Sequence, residues 1–138
     1  MGFKIVDIQK GIVSKLRADI ALGALIVAVY DDVPQSAASE KSIDFPFVVV
    51  GDDSFTDWDT DTEVGYEGDL QLHIWSRKRG KKEIKDIQQA IFDVLNRQTI
   101  VVPNCSILDI RFTAMQNFIE PDERTRHGTI NFNIKLEV

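Results

Sequence analysis

The sequence predicts an α+β domain: two helices packed on one face of an antiparallel or mixed sheet of four to five strands, in the order α-β-β-α-β-β. Two apolar stripes of helical period and one unbroken strand alternation carry this prediction. Ile5, Ile8, Ile12, Leu16 and Ile20 recur every three or four residues, as do Ile84, Ile87, Ile91 and Leu95. At the other end of the chain, Ile130, Phe132, Ile134, Leu136 and Val138 alternate with Thr129, Asn131, Asn133, Lys135 and Glu137. That is the period of a strand with one buried face.

The first helix is expected over residues 4 to 22, with Gly23 as its stop because glycine tolerates the left-handed conformation past a helix end. Gly11 inside it costs about 1 kcal/mol relative to alanine and marks either a close contact or a late helix start. Ala24 to Tyr30, with β-branched Ile26, Val27 and Val29, reads as a short extended run. Asp31 to Asp44 is polar, holds Pro34 and a small-residue patch at Ser36 to Ser39, and reads as a loop. Phe45 to Gly51 is a buried strand by composition, with Pro46 near its start where a missing N–H is tolerated.

Residues 52 to 63 contain six acidic side chains and no basic one, so the segment repels itself and is expected to be a long loop rather than packed structure. Tyr66 to Ser76 returns to strand character, with Leu70, Leu72 and Ile74 facing one way and Gln71, His73 and Trp75 the other. An open hairpin follows from the pair. Residues 77 to 82, RKRGKK, carry five basic side chains. They lead into the second helix, whose stripe Phe92 and Val94 widen, through about Arg97. Ile107 to Phe118 reads as a strand, and residues 120 to 128 as a charged turn before the last strand. With no internal repeat and no low-complexity linker, residues 1–138 are expected to form one domain.

Composition bounds the function. At 138 residues, 43% hydrophobic and 28% charged, the chain reads as soluble and globular. A chain of this length buries roughly two-thirds of its unfolded surface, enough for a real core. Its net charge of −6 argues against broad attraction to nucleic acid or anionic lipid. Cys105 is the only cysteine, which excludes an intrachain disulfide and a cysteine-based zinc site and suits a reducing cytoplasm. Met1 to Lys4 show no signal-peptide pattern, and Val6 stands where a myristoylation motif needs Ser or Thr. The apolar run Ala24 to Tyr30 is too short to span a bilayer, so no membrane partner is expected.

Catalytic and metal readings find little support. Asp57, Asp59, Asp61 and Glu63 alternate like the opening of a calcium loop. Thr62 and Gly68, however, stand where an EF-hand needs glycine and glutamate. His73 and His127 do not form a metal-ligand spacing, and His73 shares a strand face with Trp75, where packing or hydrogen bonding explains it. There is no nucleophile elbow and no phosphate-binding glycine loop. The Glu83-Ile84-Lys85 triplet of a two-carboxylate nuclease would lie on a helix, not on the strand such enzymes use. No catalytic residue, cofactor or metal ligand is assigned, and Cys105 reads as an inert buried thiol.

The residues left over point to contact surfaces. Asp52, Asp53, Asp57, Asp59, Asp61 and Glu63 form the acidic set, with Phe55 and Trp58 as aromatic anchors inside it. Arg77, Lys78, Arg79, Lys81 and Lys82 form the basic set. Positive charge at a helix start opposes the helix dipole, by about 0.3–1 kcal/mol per charge. A sequence that accepts this conflict either leaves the charges solvated at a hairpin tip or uses them against an acidic surface. Direct DNA contact is a third use, weakened by the net charge.

The order of short motifs resembles a known family. Tyr30-Asp31-Asp32-Val33-Pro34 follows the amphipathic helix, and Phe45 to Gly51 (FPFVVVG) comes next, then the acidic stretch. Ile74-Trp75-Ser76-Arg77, a Gly80 turn, the helix containing Ile84 and Leu95, and Arg126-His127-Gly128 before the last strand complete it. This is similar to the tail-completion, or tail-terminator, proteins of long-tailed bacteriophages and prophages. The resemblance implies a structural protein, not an enzyme, that forms a ring, commonly a hexamer, at the end of the tail tube. The ring ends tube growth and joins the tail to the head connector. It implies assembly in the bacterial host cytoplasm and a final place in the tail or neck of the virion. Its implied partners are other copies of itself, tail tube protein, the head–tail connector protein, and phage DNA passing through the channel without sequence-specific binding. The acidic and basic sets then become halves of a contact between copies or with the tube, while Pro46, Gly51, Gly80 and Gly128 shape strands and turns. A different neck or adaptor module is the alternative reading, and a metal-dependent nuclease a third.

Overall fold

The computed structural model describes residues 5–31, 44–59, 61–62 and 64–137, and the side chains of 107 and 108 are outside that description. The expected loop over 31 to 44 and the residues Asp32, Val33 and Pro34 fall almost wholly outside it. Helices are α1 (Ile5–Ala18), α2 (Ile20–Gly23) and α3 (Lys82–Leu95). Strands are β1 (Ala28–Tyr30), β2 (Phe47–Asp57), β3 (Gly65–Ser76), β4 (Val101–Val102), β5 (Cys105–Ile119) and β6 (Arg126–Glu137).

The expected architecture needs correction. The protein is mostly β, and among the described residues six strands form one mixed sheet in the order β1-β2-β3-β6-β5-β4. The layout of two helices on a four-to-five-stranded sheet in the order α-β-β-α-β-β is not found. β1, three residues long, falls within the extended run expected over Ala24 to Tyr30, and β4, two residues long, has no sequence signature of its own. An alternation needs more residues than that to show. Residues 4 to 22 do not make one helix either. The Asp19 carboxylate accepts from the Leu22 N–H at 2.8 Å and starts α2 afresh, as an N-cap residue does.

The sheet curls. β1 pairs parallel to β2, and every other pairing is antiparallel. Irregularities between Gly51 and Asp53, Ile107 and Asp109, and Phe112 and Ala114 each add local twist. Helix α1 touches both ends of the sheet order. The Arg17 guanidinium donates to Val29 O of β1 at 2.7 Å. A Cβ on Gly11 would lie 2.9 Å from Val102 Cγ2 and 3.0 Å from Val101 O of β4. Gly11 is therefore the close contact that its place in a helix suggested.

One apolar core fills the curl. From α1 come Ile8, Ile12 and Leu16; from α3, Ile84, Ile87, Ile91 and Leu95. The sheet supplies Val48, Val50, Leu70, Leu72, Ile74, Ile130, Phe132, Ile134 and Leu136, alternate residues of β2, β3 and β6. Gln88 is a polar member of the α3 face at 1% exposure. Its amide donates to Gln116 O at 2.8 Å and Thr129 O at 3.0 Å, so the buried group is satisfied and clamps α3 across β5 and β6. Gly128 does not shape a turn. It lies within β6, and a Cβ there would sit 2.9 Å from Ile84 Cδ1, so its bare backbone admits α3.

Candidate functional site

The acidic segment is not a long loop. β2 continues through it to Asp57 and pairs with β3 as far as Tyr66, leaving only a short connection at the tip. Asp52 is an extra residue at the Gly51/Asp53 irregularity, with φ of 22°. This insertion exchanges the faces of everything that follows. Val48 and Val50 face the core opposite Ile74 and Leu72. Beyond the insertion Asp53, Phe55 and Asp57 stand opposite Leu70, Gly68 and Tyr66 and share their face.

Phe55 and Trp58, expected as anchors for a partner, have partners within the chain. Phe55 packs over Gly68, where a Cβ would fall 2.3 Å from its ring. Trp58 donates its backbone N–H to Gly65 O at 2.8 Å and lies under the Lys135 ammonium, 5.6 Å from the ring centroid. Asp59 Oδ1 accepts from the Gly65 N–H at 3.1 Å and closes the tip. Asp53, Asp57 and Asp61 are exposed, and Glu63 is outside the described residues. Among the described residues no three His, Cys, Asp or Glu side chains are placed to share a metal ion. A cleft of about 590 Å³ opens beside this tip, lined by Ile5, Phe55, Thr56, Asp57 and Tyr66.

The basic set lies at the other end of β3. Arg77 is half-buried, its guanidinium 4.4 Å above the Phe45 ring and its Nε donating to Thr125 Oγ1 at 3.3 Å. Lys82 forms an i,i+4 ion pair with Asp86 at 2.7 Å, and that hydrogen bond raises its pKa above the usual lysine value. Ser76 Oγ donates to Glu83 at 2.6 Å. Lys81 holds the N-cap position of α3 without a side-chain cap. Lys78, Arg79 and Lys81 are exposed and have no carboxylate partner among the described residues. In the neighbouring turn, Asp122 accepts from Thr125 Oγ1 and from the Thr125 and Arg124 N–H groups. Those bonds hold its pKa down to about 2. The structure thus gathers each set internally and does not bring the two together. Twelve residues of β3 separate Asp57 and Asp61 at the tip from the basic set, roughly 35–40 Å of extended chain, whereas Asp52 and Asp53 lie beside the middle of β3, Asp52 against His73.

A third constellation escaped the sequence reading. On the sheet face away from the core, Asp52, His73, His127 and Glu120 form a line. His127 Nδ1 is 2.8 Å from Glu120 Oε1, and its Nε2 is 2.8 Å from His73 Nδ1. His73 Nε2 is 3.2 Å from Asp52 Oδ2. All three contacts are hydrogen bonds at once only when the two rings hold three protons, because each carboxylate accepts and the ring–ring bond needs one donor. The Trp75 ring stacks on His127 at 3.8 Å between centroids, and Phe118 flanks it at 4.8 Å. Burial lowers the His127 pKa from 6.5, and the Glu120 carboxylate pulls the other way. The two histidines are 54 residues apart, so no local spacing announces the pair. Cys105 is half-buried, and burial raises its thiol pKa, with Asp7 adding to the effect. That leaves little thiolate for chemistry.

None of the described helices is long and apolar enough to cross a membrane. A chain in the virion of a native gene transfer agent particle superposes on this fold with a TM-score of 0.84 at 23% identity, covering 94% of each chain. The tail completion protein gp17 of Bacillus phage SPP1 is 24% identical over 96 residues, covering 70% of this chain and 71% of that protein. The class is that of structural proteins of the phage tail. The chain belongs to the tail completion protein gp17 family, whose model matches residues 10–137.

Proposed function

We propose that this protein closes the end of a phage tail tube as a ring, stops addition of tube protein, and offers the surface to which the head connector joins. The family match across residues 10–137 carries the reading. The virion neighbour of the same fold supports it. So does the placement of the exposed basic cluster Lys78, Arg79 and Lys81 and of the exposed carboxylates Asp57 and Asp61 at opposite ends of β3. The function is recognition and geometry, not bond chemistry. The ring, commonly of six copies, assembles in the host cytoplasm and stays in the tail or neck, with DNA passing through its channel without sequence-specific contact. A chain of net charge −6 suits passage better than retention of a polyanion.

Light scattering on a size-exclusion column, over a concentration series and with purified tail tubes added, tests the proposal. The expected result is a discrete closed oligomer, alone or seated on tube ends. A protein that associates neither with itself nor with tubes at any concentration would overturn it.

A further inference from the structure

The acidic tip and the basic turn each carry charge that the fold leaves unspent. Three carboxylates near the basic turn are already engaged within the chain: Glu83 by Ser76, Asp86 by Lys82, and Asp122 by Thr125 and the Arg124 N–H. Lys78, Arg79 and Lys81 are left over. At the tip, Asp57 and Asp61 have no cationic partner among the described residues. The length of β3 keeps the two groups from neutralising each other inside one chain. Apolar surface accompanies each. Ile5, 53% exposed, lies with Phe55 and Tyr66 around the cleft at the tip. At the opposite end Ala24 and Leu25 lie beside Lys78, Arg79 and Lys82 around a hollow of about 250 Å³.

We propose that these ends are the two halves of one contact between copies of this chain: the basic turn, with Leu25, of one copy seats against the acidic cleft of the next. The inference rests on the ring reading above and supplies its interface. Opposite charge flanking apolar surface on both sides fits a second copy, because each end then finds in its neighbour what it lacks in itself. Two different surfaces on one protomer make a heterologous contact, which propagates head to tail and closes when the rotation per step allows. The apolar residues supply area, and the charges set register and exclude tip-to-tip pairing.

Two charge-reversed proteins test this. Lys78→Glu with Arg79→Glu and Lys81→Glu makes both ends acidic; Asp57→Lys with Asp61→Lys sets two lysines against the cations of the basic turn in place of two carboxylates. Far-UV circular dichroism and thermal unfolding verify that each folds as the parent does. Each variant alone is expected to need at least about tenfold more protein to associate, since like charges then meet at every contact. An equimolar mixture is expected to recover association, with the two variants alternating. If each variant associates like the parent, or if the mixture does no better than either alone, the interface is wrong while the ring reading stands. Loss of tube binding with self-association intact assigns the surface to tube protein and also overturns the inference. A parent protein that associates neither with itself nor with tail tubes removes the ring reading itself, and the interface with it.

Discussion

The two faces of the sheet are built from the same strands on opposite physical terms. Toward the helices, β6 presents Ile130, Phe132, Ile134 and Leu136, all at 0% exposure, and the opposing helices cover them with aliphatic side chains. Away from the helices, the same strand presents His127, Asn131, Asn133 and Lys135. Carboxylates meet two of them, Glu120 for His127 and Glu67 and Asp69 for Asn133, while aromatic rings meet His127 and Lys135. The core face depends on volume and on area removed from water, and proton concentration barely touches it. The outer face depends on donors matching acceptors, so its stability follows protonation. One strand thus couples a nearly pH-blind layer to a pH-sensitive one.

The largest effect is expected from the core face. Phe132→Ala leaves a cavity under β3, β5 and β6 and should cost about 3–5 kcal/mol in urea unfolding. A loss near that of a surface substitution would show that the two faces are not energetically distinct. Gly68→Ala should come next, at about 1–3 kcal/mol, because its methyl group meets both the Phe55 ring and Ser54 O, the latter at 2.6 Å. Retained stability there would mean that Phe55 has another resting place and that the hairpin is held by pairing alone.

The smallest effect is expected on the outer face, and it has a sign. The unfolded chain takes up a proton at His127 near 6.5, while burial resists that proton in the folded protein. Between the two values the unfolded state binds more protons, so stability rises with pH. The full contribution is present above 6.5 and declines as the pH falls from there toward the lower folded value. Urea midpoints at about pH 7.5 and about pH 5.5, compared between the parent and His127→Gln, isolate the contribution. The parent should lose more on acidification. Equal losses would detach His127 from the pH response.

Legibility in the sequence follows the same division. The core faces of α1, α3, β3 and β6 repeat a buried side chain at fixed intervals, and those stripes appear in the residues themselves. Of the two ends of the sheet, β1 was legible only as the extended run Ala24 to Tyr30, without its parallel partner at Phe47–Val49, and β4 was not legible because two residues are too few to show an alternation. The outer run of β2 was missed because six acidic residues read as self-repelling. β3 nevertheless pairs with the backbone from Asp53 to Asp57, and the side chains of Asp53 and Asp57 remain in water. Of the candidate surfaces, the two charge sets were visible as composition. That Arg77 and Phe55 are occupied inside the chain, while Lys78, Arg79 and Asp57 are not, depends on Thr125, Phe45 and Gly68. These lie far enough along the chain that only the fold brings them together.

The single extra residue at Asp52 has a further consequence. Without it, Phe55 and Asp57 would project from the outer side of the sheet, and Ser54 and Thr56 would take their places on the core side. Surface identity at the tip is therefore written as a count of residues between Gly51 and Gly68 as much as in their chemistry. A one-residue deletion there would conserve the composition of the hairpin and yet turn it inside out. Among relatives, the parity of that spacing should separate proteins that share a tip surface from those that share only a tip sequence.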